Sequence, residues 1–263
     1  MDRSNVKINV PTKNNQLLEK VVGLINENEE ISTLWKILNV NALDRLEMTD
    51  HGPVHFQIVS NIALRLSRIL KKNGVEFSLM KNYELSYEEA EVVIFLASVF
   101  HDLGMSIERE GHEGYSLIIA NNLLRELLSF LDVKTRTIIT SETLHAIISH
   151  RSGGSPLTLE AGIVRVADAL DMGEGRSKIP YEAGKLDIHS ISEAAIENVE
   201  IIEGKDYPVE IEIKMNNSAG LFQVDELLKK KIKGSGIEKY ISVRASINSK
   251  TEKKLMEEIV IKG

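Results

Sequence analysis

Apolar residues in the first two-thirds of the chain recur at helical spacing. Leu17, Leu18, Val21, Val22 and Ile25 share one face of a stretch from Gln16 to Ile25, which predicts a helix. A weaker repeat runs from Ser32 to Leu46. Val54, Ile58, Val59, Ile62, Leu66 and Leu70 predict a long helix started by Pro53. Thr49 or Asp50 stands ready to cap it, and Asn73-Gly74 closes it. Ser86 is placed to cap a helix through Ala90, Val93, Ile94, Leu96, Ala97 and Phe100. Further helices are expected over Tyr115 to Phe130, Thr137 to His150, and Thr158 to Leu170. Ser152 to Pro156 reads as a loop, and Gly173 and Gly175 read as helix breakers.

Near residue 195 the period changes from 3.6 to two. Val199 and Ile201, then Val209, Ile211, Ile213 and Met215, alternate with polar residues around a Gly204-Lys205-Asp206 turn, so a hairpin is expected. Leu221 to Ile232 reads as helix, Ile241 to Ile247 as strand, and Glu258 to Ile261 as a last short strand. The expected fold class is mostly α: a helical bundle over residues 1–190 and a small α+β appendage over 191–263. The run Lys229-Lys230-Lys231 could touch an anion, but a solvated helix face is the expectation.

Composition narrows the function. The chain has 263 residues, 43% of them hydrophobic, which suits a real core and excludes disorder as its main state. With 39 acidic against 32 basic side chains the formal charge is −7, which argues against bulk nucleic-acid binding. No apolar run approaches the roughly 18 residues of a membrane span, and the first residues carry no stretch of signal-peptide type. A cytoplasmic protein without a membrane partner is expected. The absence of cysteine excludes disulfides, thiolate nucleophiles, iron–sulfur clusters and Cys-type zinc sites.

Histidines supply the sharpest signal. His51, His55, His101, His112, His145 and His150 all fall in the helical part, and only His189 lies outside it. Asp102 and Asp168 stand among them, each ending an apolar helix. Imidazole with carboxylate and without thiolate suits Mn, Fe, Co, Ni or Zn. Adjacent helical side chains point about 100° apart, so His101 and Asp102 can share a metal only at a helix end, for which Gly104 provides. His51 lies four residues before His55 but outside the helix that Pro53 starts, at the mouth of such a site. There it could position substrate or donate a proton.

The order His55, His101-Asp102, Asp168, with the segments His55 to Ala63, Ile94 to Gly104 and Pro156 to Asp171, resembles the HD-domain metal-dependent phosphohydrolases over about residues 50–178. The resemblance implies an HD-type bundle in which His55, His101, Asp102 and Asp168 bind one divalent metal. It further implies that His112 and His150, or His145 in place of the latter, bind a second, with Asp102 bridging the two. The metal is expected to be Mn, Co, Ni, Fe, Mg or Zn, one or two per chain. Relatives specialised for cyclic dinucleotides carry adjacent histidines where this chain has Ser149-His150. Many relatives carry a phosphate-contacting Lys where this chain has Met105. Arg109, Arg151, Arg176 and Lys178 are then the candidates for holding phosphate, Arg176 foremost. Glu160 and Asp171 are expected to orient the ligands.

A divalent metal lowers the pKa of its water toward about 7, which makes hydroxide available to attack phosphorus. The expected activity is hydrolysis of a nucleotide or other small phosphate ester, with Asp102, His112 and His51 closest to the chemistry. The alternatives are a cyclic nucleotide or RNA phosphodiesterase, and a nucleotide-sensing binding module with an intact metal site. A homo-oligomer is compatible with all three.

Overall fold

The computed structural model describes residues 7–12, 14–151, 153–172, 192–248 and 258–262. The chain is mostly helical, with a small C-terminal sheet. Helix α1 is Gln16–Glu27 and α2 is Glu29–Asn39, the latter continued by a π-helical turn, Val40–Arg45. The long helix α3, Pro53–Lys72, has Pro53 at its first position, and Gly74 follows at φ +77°. Helix α4 is the short Ser78–Tyr83, which carries no sequence signal. Helix α5, Tyr87–Phe100, begins at a full capping box between Ser86 and Glu89. A 3₁₀ turn, Leu103–Ser106, follows it. Helices α6, His112–Leu127, α7, Val133–Ser149, and α8, Leu159–Leu170, complete the bundle.

Helix α5 is the axis of the fold. Every residue from Ala90 to Phe100 is buried. A helix apolar on all sides must be surrounded, and α1, α3, α7 and α8 pack round it. The buried charge on α5 is paired: Glu91 accepts from Arg68 at 2.7 Å and from Asn15 at 2.9 Å.

The sheet has strand order β1-β2-β3-β4, with β1 Ile196–Glu203, β2 Val209–Met215, β3 Ile241–Ile247 and β4 Glu258–Lys262. The β1–β2 and β3–β4 pairs are antiparallel, and β2–β3 is parallel. Parallel neighbours need a crossover. Here it runs through a π-helical segment, Gln223–Leu228, and the short helix α9, Lys229–Ile232. Alternate residues of β2 and β3 are buried, as the period of two requires. The sheet lies on α3, where Arg65 donates to the Ile201 carbonyl at 2.5 Å. The crossover lies on α8.

The helix α8 joint is tight. A Cβ on Gly162 would stand 2.1 Å from the Ser235 carbonyl oxygen, so only glycine permits the approach. Buried Arg165, one turn further on, donates to the carbonyls of Lys231 at 3.0 Å, Lys230 at 3.3 Å and Gly154 at 2.5 Å. The carbonyls at a helix C-terminus lack partners of their own, and Arg165 supplies them for α9.

Candidate metal centre

Helix ends bring the site together. His55 is in the first turn of α3, where the Asp50 carboxylate accepts from the backbone N–H of Gly52 at 2.9 Å. His101 is the C-cap of α5, and Asp102 follows at φ −101°, ψ 6°, outside the helix. That break lets adjacent residues face one centre. His112 opens α6, His150 caps α7, and Asp168 and Asp171 end α8. The α6 start is locked by Ser116, whose hydroxyl donates to the His101 carbonyl at 2.7 Å and accepts from Gly104 N at 2.8 Å.

Each imidazole is oriented through Nδ1. His55 donates to Asp171 Oδ2 at 2.5 Å, His101 to the Ser98 carbonyl at 3.0 Å, His112 to the Arg109 carbonyl at 3.0 Å and His150 to the Ile147 carbonyl at 2.6 Å. Nε2 is then the lone pair aimed inward, the arrangement of metal-binding histidines. His55 Nε2 and His101 Nε2 stand 3.1 Å apart, 3.5 and 3.6 Å from Asp168 Oδ1, and 3.9 and 3.6 Å from Asp102 Oδ2. Two donors each about 2.1 Å from one ion lie from roughly 3.0 Å apart at a right angle to about 4.2 Å when opposite, so the set fits a cation. The other oxygen, Asp102 Oδ1, faces His112 Nε2 at 2.9 Å and His150 Nε2 at 3.6 Å. His112 Nε2 is buried without an aligned hydrogen bond, as a ligand atom would be before its ion arrives.

The electrostatics agree for Asp102, Asp168 and His150 and run the other way for His112. Burial favours protonating Asp102, but His101, His112 and His51 outweigh it and hold the carboxylate well below its usual range. Burial acts likewise on Asp168 and is outweighed by Lys231, His101 and His55. Burial, then His101 and Lys231, push His150 down to about 3, which keeps it neutral and able to ligate. Burial opposes charge on His112, but the Asp102 carboxylate prevails and the net shift is upward.

The other candidates fall as follows. His51 reaches further in than a place at the mouth: its Nδ1 donates to Asp102 Oδ2 at 2.8 Å, with its ring still 13% exposed. His145 turns away and accepts from Leu157 N at 2.9 Å, so of the two α7 histidines His150 is the one at the cluster. Arg109 stands 3.1 Å from His112 Nδ1, and Arg151 pairs with Glu113 at 3.2 Å. Arg176, Lys178 and His189 lie outside the described residues. Met105 is buried. Glu160 is not at the site, contrary to expectation. It lies eight residues before Asp168 on α8, about 12 Å along the axis, and accepts from Leu79 N at 3.1 Å.

Lys231 also departs from expectation. It is not part of a solvated face: its ammonium donates to Asp168 Oδ2 at 2.6 Å and to the His150 carbonyl at 2.7 Å. Lys229 and Lys230 do lie on the surface, each paired four residues back with Asp225 and Glu226. Lys231 has Leu227 at that spacing, and this is the signal in the sequence that sets it apart.

A family model for the HD domain matches residues 54–173, the stretch that carries the cluster. The chain is 42% identical over 236 residues to an uncharacterized protein of Methanocaldococcus jannaschii, MJ1020, covering 89% of this chain and 90% of that one. No solved structure matches. The chain belongs to the HD domain family. That family is in general one of metal-dependent hydrolases, and the His/Asp groups here could hold a metal. Among the described residues, no helix is long and apolar enough to cross a membrane.

Proposed function

We propose that this chain is a metal-dependent phosphohydrolase acting on a nucleotide or other small phosphate ester. The observation that carries the reading is the convergence of four Nδ1-anchored imidazoles on the two oxygens of Asp102 and on Asp168. In this reading His55, His101, Asp102 and Asp168 hold one divalent ion, and His112 and His150 hold another that shares Asp102. Bound there, such ions supply a Lewis acid and a water that ionises near neutral pH. Asp102 keeps its two oxygens apart, one toward each ligand group, and His51 fixes the carboxylate in that pose. The partly exposed ring of His51 can pass a proton toward the leaving oxygen. Arg109 and Arg151 stand at the rim, and with Arg176 and Lys178 they remain candidates for contacts to the ester. In this reading the expected division is 1–190 for the HD unit and 191–263 for a second unit, whose described crossover, residues 223–232, borders the site.

The test is a panel of nucleotides and generic phosphate esters assayed with Mn, Co, Ni, Fe, Mg and Zn in turn, beside metal analysis of the purified protein. Metal-dependent hydrolysis that Asp102→Ala abolishes supports the reading. Metal content should approach two ions per chain and fall to about one in His112→Ala. A wild type that takes up no metal, or an Asp102→Ala variant with near wild-type turnover, would sink it. Metal uptake with no hydrolysis of any ester would favour the sensing module.

A further inference from the structure

We propose that Lys231, carried in from the C-terminal segment, is a phosphoryl-binding residue of this site. The inference rests on the phosphohydrolase reading and adds the group that takes the substrate's charge. Among the described residues, Lys231 is the one Lys or Arg whose side chain bonds a carboxylate of the cluster. It touches the outer oxygen of Asp168, Oδ2, while Oδ1 faces His55 and His101. The ammonium therefore stands beside the cation position without taking its ligand atom. A Lys has three N–H donors. Two are used, on Asp168 and on the His150 carbonyl, which leaves the third for a substrate oxygen.

The space for that oxygen is present. A cavity of about 310 Å³ lies between the end of α8 and the crossover, with Asp168 and Asp171 on one wall and Gln223, Leu227, Lys230 and Lys231 on the other. This is near the lower bound of ligand pockets, roughly 300 Å³, and suits a small ester rather than a polymer. Helix α9 is held in place by its two carbonyls that Arg165 ties down, Lys230 and Lys231, and by the glycine contact at Ser235 just beyond it. So rigid a mounting is unneeded for a surface lysine and is what a binding group requires.

Charge sets an order of binding. Without a metal the cavity is faced by Asp168, Asp171, Glu193 and Glu226 against Lys230 and Lys231, so it repels an anion. Divalent ions reverse that balance. Phosphate should therefore bind after the metal.

Calorimetry with inorganic phosphate separates the claims. Chelator-treated wild type and Lys231→Met are titrated first with Mn²⁺, then the loaded proteins with phosphate, with circular dichroism to check folding. Lys231→Gln serves as a second variant. The wild type should bind phosphate only when loaded. In Lys231→Met the Mn²⁺ affinity should stay within about threefold while phosphate weakens about tenfold to a hundredfold, the weight of one hydrogen bond to a charged group. Phosphate affinity within about twofold of wild type would overturn the proposal. So would a loss of Mn²⁺ affinity as large as the loss of phosphate affinity, because Lys231 would then act only by positioning Asp168. A wild type that binds no Mn²⁺ would instead overturn the phosphohydrolase reading on which this one rests.

Discussion

Replacing Gly104 with alanine tests whether the turn after His101-Asp102 is built as described. The new Cβ would stand 1.9 Å from the His112 carbonyl oxygen and 2.7 Å from Ser116 N. Close carbon–oxygen contacts need about 3.3 Å, and both neighbours are backbone, so the start of α6 must retreat by more than ~1 Å. Overpacking of this kind costs roughly 1–3 kcal/mol. The retreat also stretches the two bonds of the buried Ser116 hydroxyl, each worth about 0.5–1.5 kcal/mol. The sum is about 4 kcal/mol, or a fall of roughly 8–16 °C in melting temperature. His112 moves with α6, so uptake of a second ion should fail before the first. Gly114 provides the control on the same helix: a Cβ there meets nothing within 4 Å. Gly114→Ala should gain about 0.4–1 kcal/mol from helix propensity and a less flexible unfolded chain. Thermal unfolding by circular dichroism in chelator, with metal content measured separately, gives both numbers. A Gly104→Ala protein that melts within about 1 °C of wild type with full metal content would refute the packing argument.

Two further outcomes are expected. Asp171→Asn removes the charged acceptor that polarises His55, and Mn²⁺ affinity measured by calorimetry should fall about tenfold to a hundredfold; a change under about twofold would contradict this. Glu160→Gln should become more stabilising relative to wild type as pH rises. Burial raises the Glu160 pKa in the folded protein above its ordinary value of 4.5. Below 4.5 both states are protonated and the carboxyl costs nothing, whereas above it the unfolded chain ionises first and folding loses free energy. Denaturant melts of both proteins from pH 4 to 8 decide it, and a difference that is flat with pH would show the sign to be wrong.

Much of the cluster is legible in the sequence because its residues sit beside strong local signals. His55 follows a Pro-started helix, His101-Asp102 ends an all-apolar helix before a glycine, and Asp168 ends a helix that Thr158 caps. The choice between His145 and His150 needed the structure, since only the path of the chain after α7 shows which ring turns inward. Helix α6 starts at His112, three residues before Tyr115, because Gly111 at φ +67° makes the turn into it. Helix α7 starts at Val133 rather than Thr137, and its cap Asp132 was available to find that boundary. Leu227 four residues back marks Lys231 off from its neighbours, but its contact spans 63 positions and depends on how the crossover lies on α8, so no local pattern names Asp168 as its partner.

The placement of the clustered histidines and aspartates at helix termini also accounts for how the cluster can exist. Five imidazoles and three carboxylates gathered in a low-dielectric interior cost solvation, and within a regular helix their backbone groups would add nothing to offset it. At helix ends the backbone has free carbonyls and amides to spend on them. Ser98, Arg109 and Ile147 carbonyls accept from His101, His112 and His150. Three of the termini, those of α5, α7 and α8, are C-terminal, where the helix dipole is negative. Together with Asp102, Asp168 and Asp171 they make a field that attracts a cation more strongly than the single charge of Lys231 can satisfy. The fold thereby sets these side chains in place by itself, and in the phosphohydrolase reading proposed above their charge turns favourable to a phosphate ester only once a metal is bound.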